Sequence, residues 1–89
     1  MAEIERRLLE ASRKYAEKAG YALNPDERVV KAVIRGLALN ELRYGKPYCP
    51  CRRITGDLDR DSLIICPCAY HKEEIERLGR CHCGLFVKR

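Results

Sequence analysis

Six cysteines in the second half of the chain form three pairs, each with a single residue between its two members. The pairs are Cys49-Pro50-Cys51, Cys66-Pro67-Cys68 and Cys81-His82-Cys83, and spacers of fourteen and twelve residues separate them. Thiolates bind metals and iron-sulfur clusters, and neighbouring thiols form reducible disulfides. The pattern therefore predicts a redox or metal centre assembled from three short segments.

The cellular setting bears on how these cysteines are used. Residues 1–7 carry four charged side chains and no long apolar stretch, so we expect neither a signal peptide nor a membrane span. The protein is therefore expected to be cytoplasmic. Structural disulfides are uncommon in a reducing cytosol, and cysteines one residue apart bridge each other only with strain. A scaffold of structural disulfides is therefore disfavoured.

Metal ligation leaves more than one interpretation open. Structural zinc normally uses Cys-x2-Cys to Cys-x4-Cys knuckles, and the chain has no such pair, although a zinc-stabilised interaction module remains an alternative. A 4Fe-4S cluster takes four thiolates, which leaves two cysteines over. Two thiols beside a one-electron carrier suggest disulfide chemistry, because reduction of a disulfide takes two electrons. A plain electron carrier or redox sensor, with no enzymatic turnover, is the other alternative.

Two long helices are predicted before the first cysteine. Residues 2–19 have apolar side chains at helical spacing, and Gly20 stands where a left-handed C-terminal cap would lie. A second helix is predicted from Asn24, the expected N-cap, to about Arg43, with Pro25 in its first turn and Glu27 at the capping-box position. Its apolar face is expected to pack as core.

The cysteine half should be richer in loops. Asp57 to Ser62 predicts a short helical turn, Leu63 to Ile65 is a brief apolar run, and His71 to Leu78 predicts a short helix closed by Gly79. His71 is expected to be a solvated residue at the start of that helix.

These elements predict a mainly α fold in one domain, residues 1–89. Residues 1–48 form a helical platform, and residues 49–89 carry the cysteine motifs in loops. At 89 residues such a core gains from a covalent or metal staple, which a bound centre would supply.

The charge distribution narrows the class of partner. The net charge is +5 and dispersed, which favours acidic partners through electrostatic steering. The chain has no basic run and no aromatic stacking motif of the RNA-binding kind, so nucleic acid is not an expected partner. Arg52 and Arg53 are expected to be either a docking patch or merely solubilising charge.

The order of the motifs, Cys-Pro-Cys, Cys-Pro-Cys and Cys-His-Cys, resembles the catalytic (beta) subunit of ferredoxin-thioredoxin reductase. The resemblance covers nearly the whole chain. Its other segments are Tyr15-Ala16, Val33-Ile34-x-Gly36-Leu37-Ala38, Gly45-x-Pro47 leading into Cys49-Pro50-Cys51-Arg52, and Leu85-Phe86.

The resemblance implies a helical disc around a 4Fe-4S cluster, and it assigns a role to each cysteine. The implied cluster ligands are Cys49, Cys66, Cys68 and Cys81. The implied redox-active disulfide joins Cys51 and Cys83, with Cys51 as the exposed thiol that attacks the substrate and Cys83 as the sulfur facing the cluster. His82 is implied to assist proton transfer. Ferredoxin would be the electron donor, and thioredoxin or a thioredoxin-like protein the substrate.

Departures from the resembled family fall between the motifs. The first spacer is shorter than in the plant and cyanobacterial enzymes and the second is longer. Because the longer spacer contains the predicted helix His71 to Leu78, the surface beside the site, and with it the choice of partner, is expected to differ. The plant enzyme also pairs with a separate variable subunit, so such a subunit is a candidate partner here.

Overall fold

Two long helices, packed against each other, make up most of the first half of the chain. The computed structural model describes residues 2–50 and 52–89, and Met1 and Cys51 lie outside the described residues. In order, the elements are α1 (Ala2–Ala19), β1 (Tyr21–Leu23), α2 (Glu27–Tyr44), α3 (Leu58–Asp61), a 3-10 turn (Ser62–Ile64), α4 (His71–Leu78) and β2 (Phe86–Lys88). The predicted mainly α fold is confirmed. In the described part of the chain, no helix is long and apolar enough to cross a membrane.

Helix boundaries agree closely with the glycine signals in the sequence. α1 ends at Ala19 because Gly20 takes the left-handed conformation, with φ of 83°. Helix α4 likewise ends at Leu78, where Gly79 caps it and donates its backbone N–H to the carbonyl of Ile75. The left-handed backbone conformation of these caps is unfavourable for residues that have a Cβ, so glycine is found at the helix ends.

The start of α2 differs from the prediction. Its N-cap is Asp26, whose carboxylate accepts a hydrogen bond from the backbone N–H of Arg28, and the predicted cap Asn24 is wrong. The side chain of Asn24 is engaged elsewhere: its Oδ1 accepts from the N–H of Asp26, and its Nδ2 donates to the carbonyl of Gly84. Both residue types cap helices, so local sequence could not separate them.

A short antiparallel pair of strands joins the connection between α1 and α2 to the segment that follows the third cysteine motif. Tyr21, Ala22 and Leu23 of β1 face Lys88, Val87 and Phe86 of β2. The pairing was not predicted, because three-residue strands give no clear alternation and their partners are distant in sequence. It fixes the segment after the third cysteine motif against the helical platform.

The main core lies between the platform and this returning segment. Leu8 and Ala16 from α1 and Leu37 from α2 pack with Leu85 and Phe86. Helix α4 contributes Ile75, which is 1 % exposed. A second apolar cluster consists of Tyr48, Cys49 and Ile64, and so includes the first residue of the first cysteine motif.

His71 is the clearest correction to the sequence-based interpretation. It is buried at 6 % exposure, not solvated. Its Nδ1 is hydrogen-bonded to the carbonyl oxygen of Cys68, and its Nε2 lies 2.5 Å from the hydroxyl of Tyr15. The ring thus links the loop of the second motif to α1.

Candidate redox site

Backbone hydrogen bonds hold the first two cysteine motifs side by side. Tyr48 and Ile65, the residues just before Cys49 and Cys66, form an isolated antiparallel bridge. The N–H of Cys49 donates to the carbonyl of Ile64 at 2.7 Å, and the N–H of Cys66 donates to the carbonyl of Pro47 at 3.1 Å. The two motifs therefore enter the site in a fixed register.

The first motif also lies directly on helix α2. A Cβ built on Gly36 would stand 2.6 Å from Cβ and 2.9 Å from Cγ of Pro50. Real Cβ atoms do not approach so closely, so only glycine at this helix position lets the Pro50 ring settle on the helix backbone. Gly36, which is part of the segment that resembles the family, thus has a packing role.

The third motif is held by the strand that follows it. The N–H of Cys81 donates to the carbonyl of Phe86 at 3.0 Å, and the N–H of Phe86 donates to the Sγ of Cys81 at 3.3 Å. Gly84, with φ of 82°, makes the turn between them and donates to the carbonyl of Cys81. The side chain of Asn24 donates a hydrogen bond to the carbonyl of Gly84 at 2.9 Å, which ties this turn to the segment between β1 and α2.

Thiols from all three motifs meet at one place. The Sγ of Cys83 lies 3.8 Å from the Sγ of Cys49 and 3.6 Å from the Sγ of Cys81. The thiols of Cys66 and Cys68 also lie close enough to the thiol of Cys49 to raise its pKa. Five of the six predicted cysteines are therefore brought together, and the sixth, Cys51, lies outside the described residues.

These contacts give the thiols different pKa values. The pKa of Cys68 falls to about 6, chiefly because its sulfur accepts a hydrogen bond from Cys49, with the N–H of Tyr70 and the charge of Arg52 helping. The pKa of Cys49 rises because its thiol hydrogen-bonds to its cysteine neighbours, and burial adds to the rise. Cys81 also has a raised pKa, chiefly through its hydrogen bond with Cys83. Of Cys49, Cys68 and Cys81, Cys68 is therefore the thiol that ionises most readily.

A carboxylate that the sequence analysis did not single out lies beside these thiols. Glu74 of α4 pairs with Nη2 of Arg52 at 2.5 Å, and it accepts the backbone N–H of His82 at 3.1 Å. Arg52 is therefore engaged in a partly buried ion pair, whereas Arg53 is exposed, and the expected role of the two as a docking patch or solubilising charge stays a prediction. The side chain of His82 itself is exposed, so its predicted proton-transfer role stays a prediction.

The donor chemistry of the site suits an iron-sulfur cluster. The converging side chains are thiols from separate loops, and cysteine thiolates are the ordinary ligands of such clusters. The hydrogen bond from the N–H of Phe86 to Cys81 is of the kind that stabilises a ligand thiolate. Within residues 2–50 and 52–89, no group of three or more His, Cys, Asp or Glu side chains is arranged to hold a single metal ion. Cys49, Cys66, Cys68 and Cys81 remain the predicted ligands.

Comparisons with known proteins identify the family. The sequence model described as "Ferredoxin thioredoxin reductase catalytic beta chain" matches residues 2–89. The "Ferredoxin-thioredoxin reductase, catalytic chain" of Porphyra purpurea is 39% identical over 85 residues, which cover 89% of this chain and 69% of the relative. The chloroplastic catalytic chain of Arabidopsis thaliana is 36% identical over 78 residues, 85% of this chain and 51% of that protein.

These matches bear out the resemblance read from the cysteine motifs. The relatives are named as catalytic chains of a reductase, so the prediction of an oxidoreductase is confirmed as well. The chain belongs to the ferredoxin-thioredoxin reductase catalytic beta chain family.

Proposed function

We propose that this chain is a ferredoxin-dependent disulfide reductase that reduces thioredoxin or a thioredoxin-like protein. The observation that carries the proposal is the meeting of the three motifs, in which Cys83 lies 3.6 Å and 3.8 Å from two of the predicted ligands. A redox-active cysteine this close to ligands of a cluster is well placed to receive electrons from it. The family supplies the names of the donor and the substrate.

In this proposal four cysteines, Cys49, Cys66, Cys68 and Cys81, hold a 4Fe-4S cluster, and Cys51 and Cys83 form the reducible disulfide. When bound, the cluster would supply electrons one at a time. Two reduced ferredoxins then provide the two electrons that, with two protons, convert the disulfide to two thiols. A net charge of +5 supports an acidic donor, because opposite charge accelerates docking.

The two redox cysteines have different tasks. The Cys51 thiolate attacks one sulfur of the substrate disulfide, which forms a mixed disulfide and releases the other substrate sulfur as a thiolate. The Cys83 thiolate then attacks the sulfur of Cys51, which releases the second substrate thiol and restores the Cys51–Cys83 disulfide. His82, between Cys81 and Cys83 and exposed to solvent, is proposed to hand a proton to the departing thiolate. The predicted variable subunit and cytoplasmic location stay predictions.

Metal and thiol analysis of anaerobically purified protein tests the proposal. About four irons and four sulfides per chain, with two thiols that appear only on mild reduction, is the expected result. Zinc in place of iron would favour the structural module. Iron with no gain of thiols would favour a simple carrier or sensor. Both of those results contradict the reductase.

A further inference from the structure

Glu74 connects the loops of the first and third cysteine motifs. Its Oε2 pairs with Nη2 of Arg52 at 2.5 Å, and its Oε1 accepts the backbone N–H of His82 at 3.1 Å. The guanidinium of Arg52 also lies 4.8 Å from the centre of the Tyr70 ring, just beyond the second motif. One carboxylate of α4 therefore joins segments that are far apart in sequence.

This contact is better protected from water than most ion pairs among the residues that the structure describes. The side chains of Arg52 and Glu74 are 24% and 19% exposed, whereas those of Arg77 and Glu73 on the same helix are 73% and 74% exposed. Partly buried pairs are screened less by salt, and a carboxylate that accepts two hydrogen bonds is held in one orientation. The Arg52–Glu74 contact can therefore restrain the backbone, which the exposed pair cannot do.

The residues that Glu74 holds adjoin the two redox cysteines of the proposed function. Arg52 directly follows Cys51 in the sequence, and His82 directly precedes Cys83. On the other side of position 51, Pro50 is seated on Gly36. We propose that Glu74 is a positioning residue, which holds the first and third motifs together and so sets how readily the Cys51–Cys83 disulfide is reduced. This inference rests on the proposed function.

The expected effect follows from the effective concentration of the two thiols. With dithiothreitol as reductant, the protein disulfide breaks and the cyclic dithiothreitol disulfide forms, so two electrons and two protons pass to Cys51 and Cys83. A restraint that keeps the thiols near each other favours the protein disulfide, since less entropy is lost on closing it. Loss of the restraint should therefore shift the equilibrium toward the dithiol.

The test is the dithiol-disulfide equilibrium of anaerobic, cluster-loaded protein in buffers of reduced and oxidised dithiothreitol, read by alkylation and mass. Glu74→Ala should raise the equilibrium constant for reduction about three- to thirtyfold, which lies within the range spanned by interactions between contacting residues. For a two-electron couple, tenfold corresponds to about 30 mV. Glu74→Gln keeps an acceptor for the N–H of His82 but loses the charge. Its equilibrium constant for reduction should therefore lie between those of Glu74→Ala and the unaltered protein.

Matched variants separate positioning from general stability. Glu73→Ala changes the neighbouring glutamate of the same helix, whose partner Arg77 is exposed, and should leave the equilibrium unchanged. Arg52→Gln should reproduce part of the shift in the reduction equilibrium that Glu74→Gln causes. The variant with both substitutions should shift the equilibrium by less than the sum of the two single shifts, because the two residues act through one contact.

Three results contradict the inference. Equal equilibrium constants for Glu74→Ala, Glu74→Gln and the unaltered protein overturn it while leaving the proposed function intact. An equal shift in Glu73→Ala also overturns it, since the cause would then be a general loosening of α4. Absence of a reducible disulfide in the unaltered protein overturns the proposed function, and with it this inference.

Discussion

The hydroxyl of Tyr15 on α1 lies 2.5 Å from Nε2 of His71, the first residue of α4. The other ring nitrogen of His71 is hydrogen-bonded to the carbonyl of Cys68, which can only accept. In the neutral ring Nδ1 therefore carries the proton, and Nε2 accepts from Tyr15. The two residues connect the helical platform with the loop of a predicted cluster ligand.

Tyr15→Phe should lower the free energy of unfolding by about 1–3 kcal/mol, because it leaves a buried acceptor on His71 without its donor. Thermal unfolding of the anaerobic protein measures the change. Tyr21→Phe is the matched control: its ring also meets His71 edge-on, but its hydroxyl forms no hydrogen bond within residues 2–50 and 52–89. Equal losses in both variants would show that ring packing, not the hydrogen bond, stabilises this contact.

Gly36→Ala should destabilise the protein by about 1–3 kcal/mol, the usual effect of overpacking, although alanine is the better helix former. The new Cβ would meet the Pro50 ring at 2.6 Å. Thermal unfolding and the iron content per chain measure the result. Pro50→Gly removes both atoms that the Cβ meets, so in that background Gly36→Ala should be neutral or stabilising. If Gly36→Ala lowered the stability equally in the unaltered protein and in Pro50→Gly, the contact with the Pro50 ring would be excluded as the cause.

Substitutions of single cysteines should separate the two predicted roles. Cys51→Ser should keep the iron of the unaltered protein but reduce thioredoxin reduction with reduced ferredoxin to background, because the attacking thiol is gone. Cys49→Ser should lose most of the iron, because a buried predicted ligand is replaced by a poorer donor. Retention of reductase activity in Cys51→Ser would disprove the assignment of the nucleophile.

The carboxylate of Asp61 should make stability depend on pH. It accepts hydrogen bonds from the backbone N–H groups of Thr55 and Gly56 and from the Thr55 hydroxyl, which hold its pKa below its ordinary value. A lowered carboxyl pKa stabilises the fold above about pH 4, and this contribution is lost as the pH falls through the folded-state value.

Comparison with Asp61→Asn measures the Asp61 contribution. At neutral pH the variant should melt at a lower temperature, because its amide cannot accept all three hydrogen bonds. The difference should shrink as the pH falls below about 4 and then through the lowered folded-state pKa of Asp61, where the native carboxylate becomes protonated. A difference in melting temperature that does not change with pH would contradict this account.

Local signals in the sequence were enough to predict most of the helices. Gly20 and Gly79 mark helix ends because few other residues adopt their left-handed backbone. Asn24 misled because Asp26, two residues later, caps equally well. The β1–β2 pair escaped prediction because it depends on contacts between residues about 65 positions apart, for example Tyr21 with Lys88.

For the site, the sequence predicted which residue types meet but not what holds them. The three cysteine pairs were evident from spacing alone, and the family resemblance implied their roles. Glu74 could not be found, since it is one of three glutamates in a charged helix and only the fold shows that it faces Arg52 and His82. His71 was missed for a related reason, because an isolated histidine at a helix start gives no sign of a buried partner.

The pairing of β2 with β1 has a consequence for biogenesis. The third motif is hydrogen-bonded to Phe86 of β2, and β2 in turn pairs with Tyr21–Leu23. We therefore expect the site to be complete only after β2 has left the ribosome. Until then the cysteines of the first two motifs have left the ribosome without Cys81 and Cys83, which lie beside them in the folded protein. During synthesis these thiols are therefore open to oxidation and to capture of the wrong metal, and on the proposed function we expect the cluster to be loaded late in the maturation of this protein.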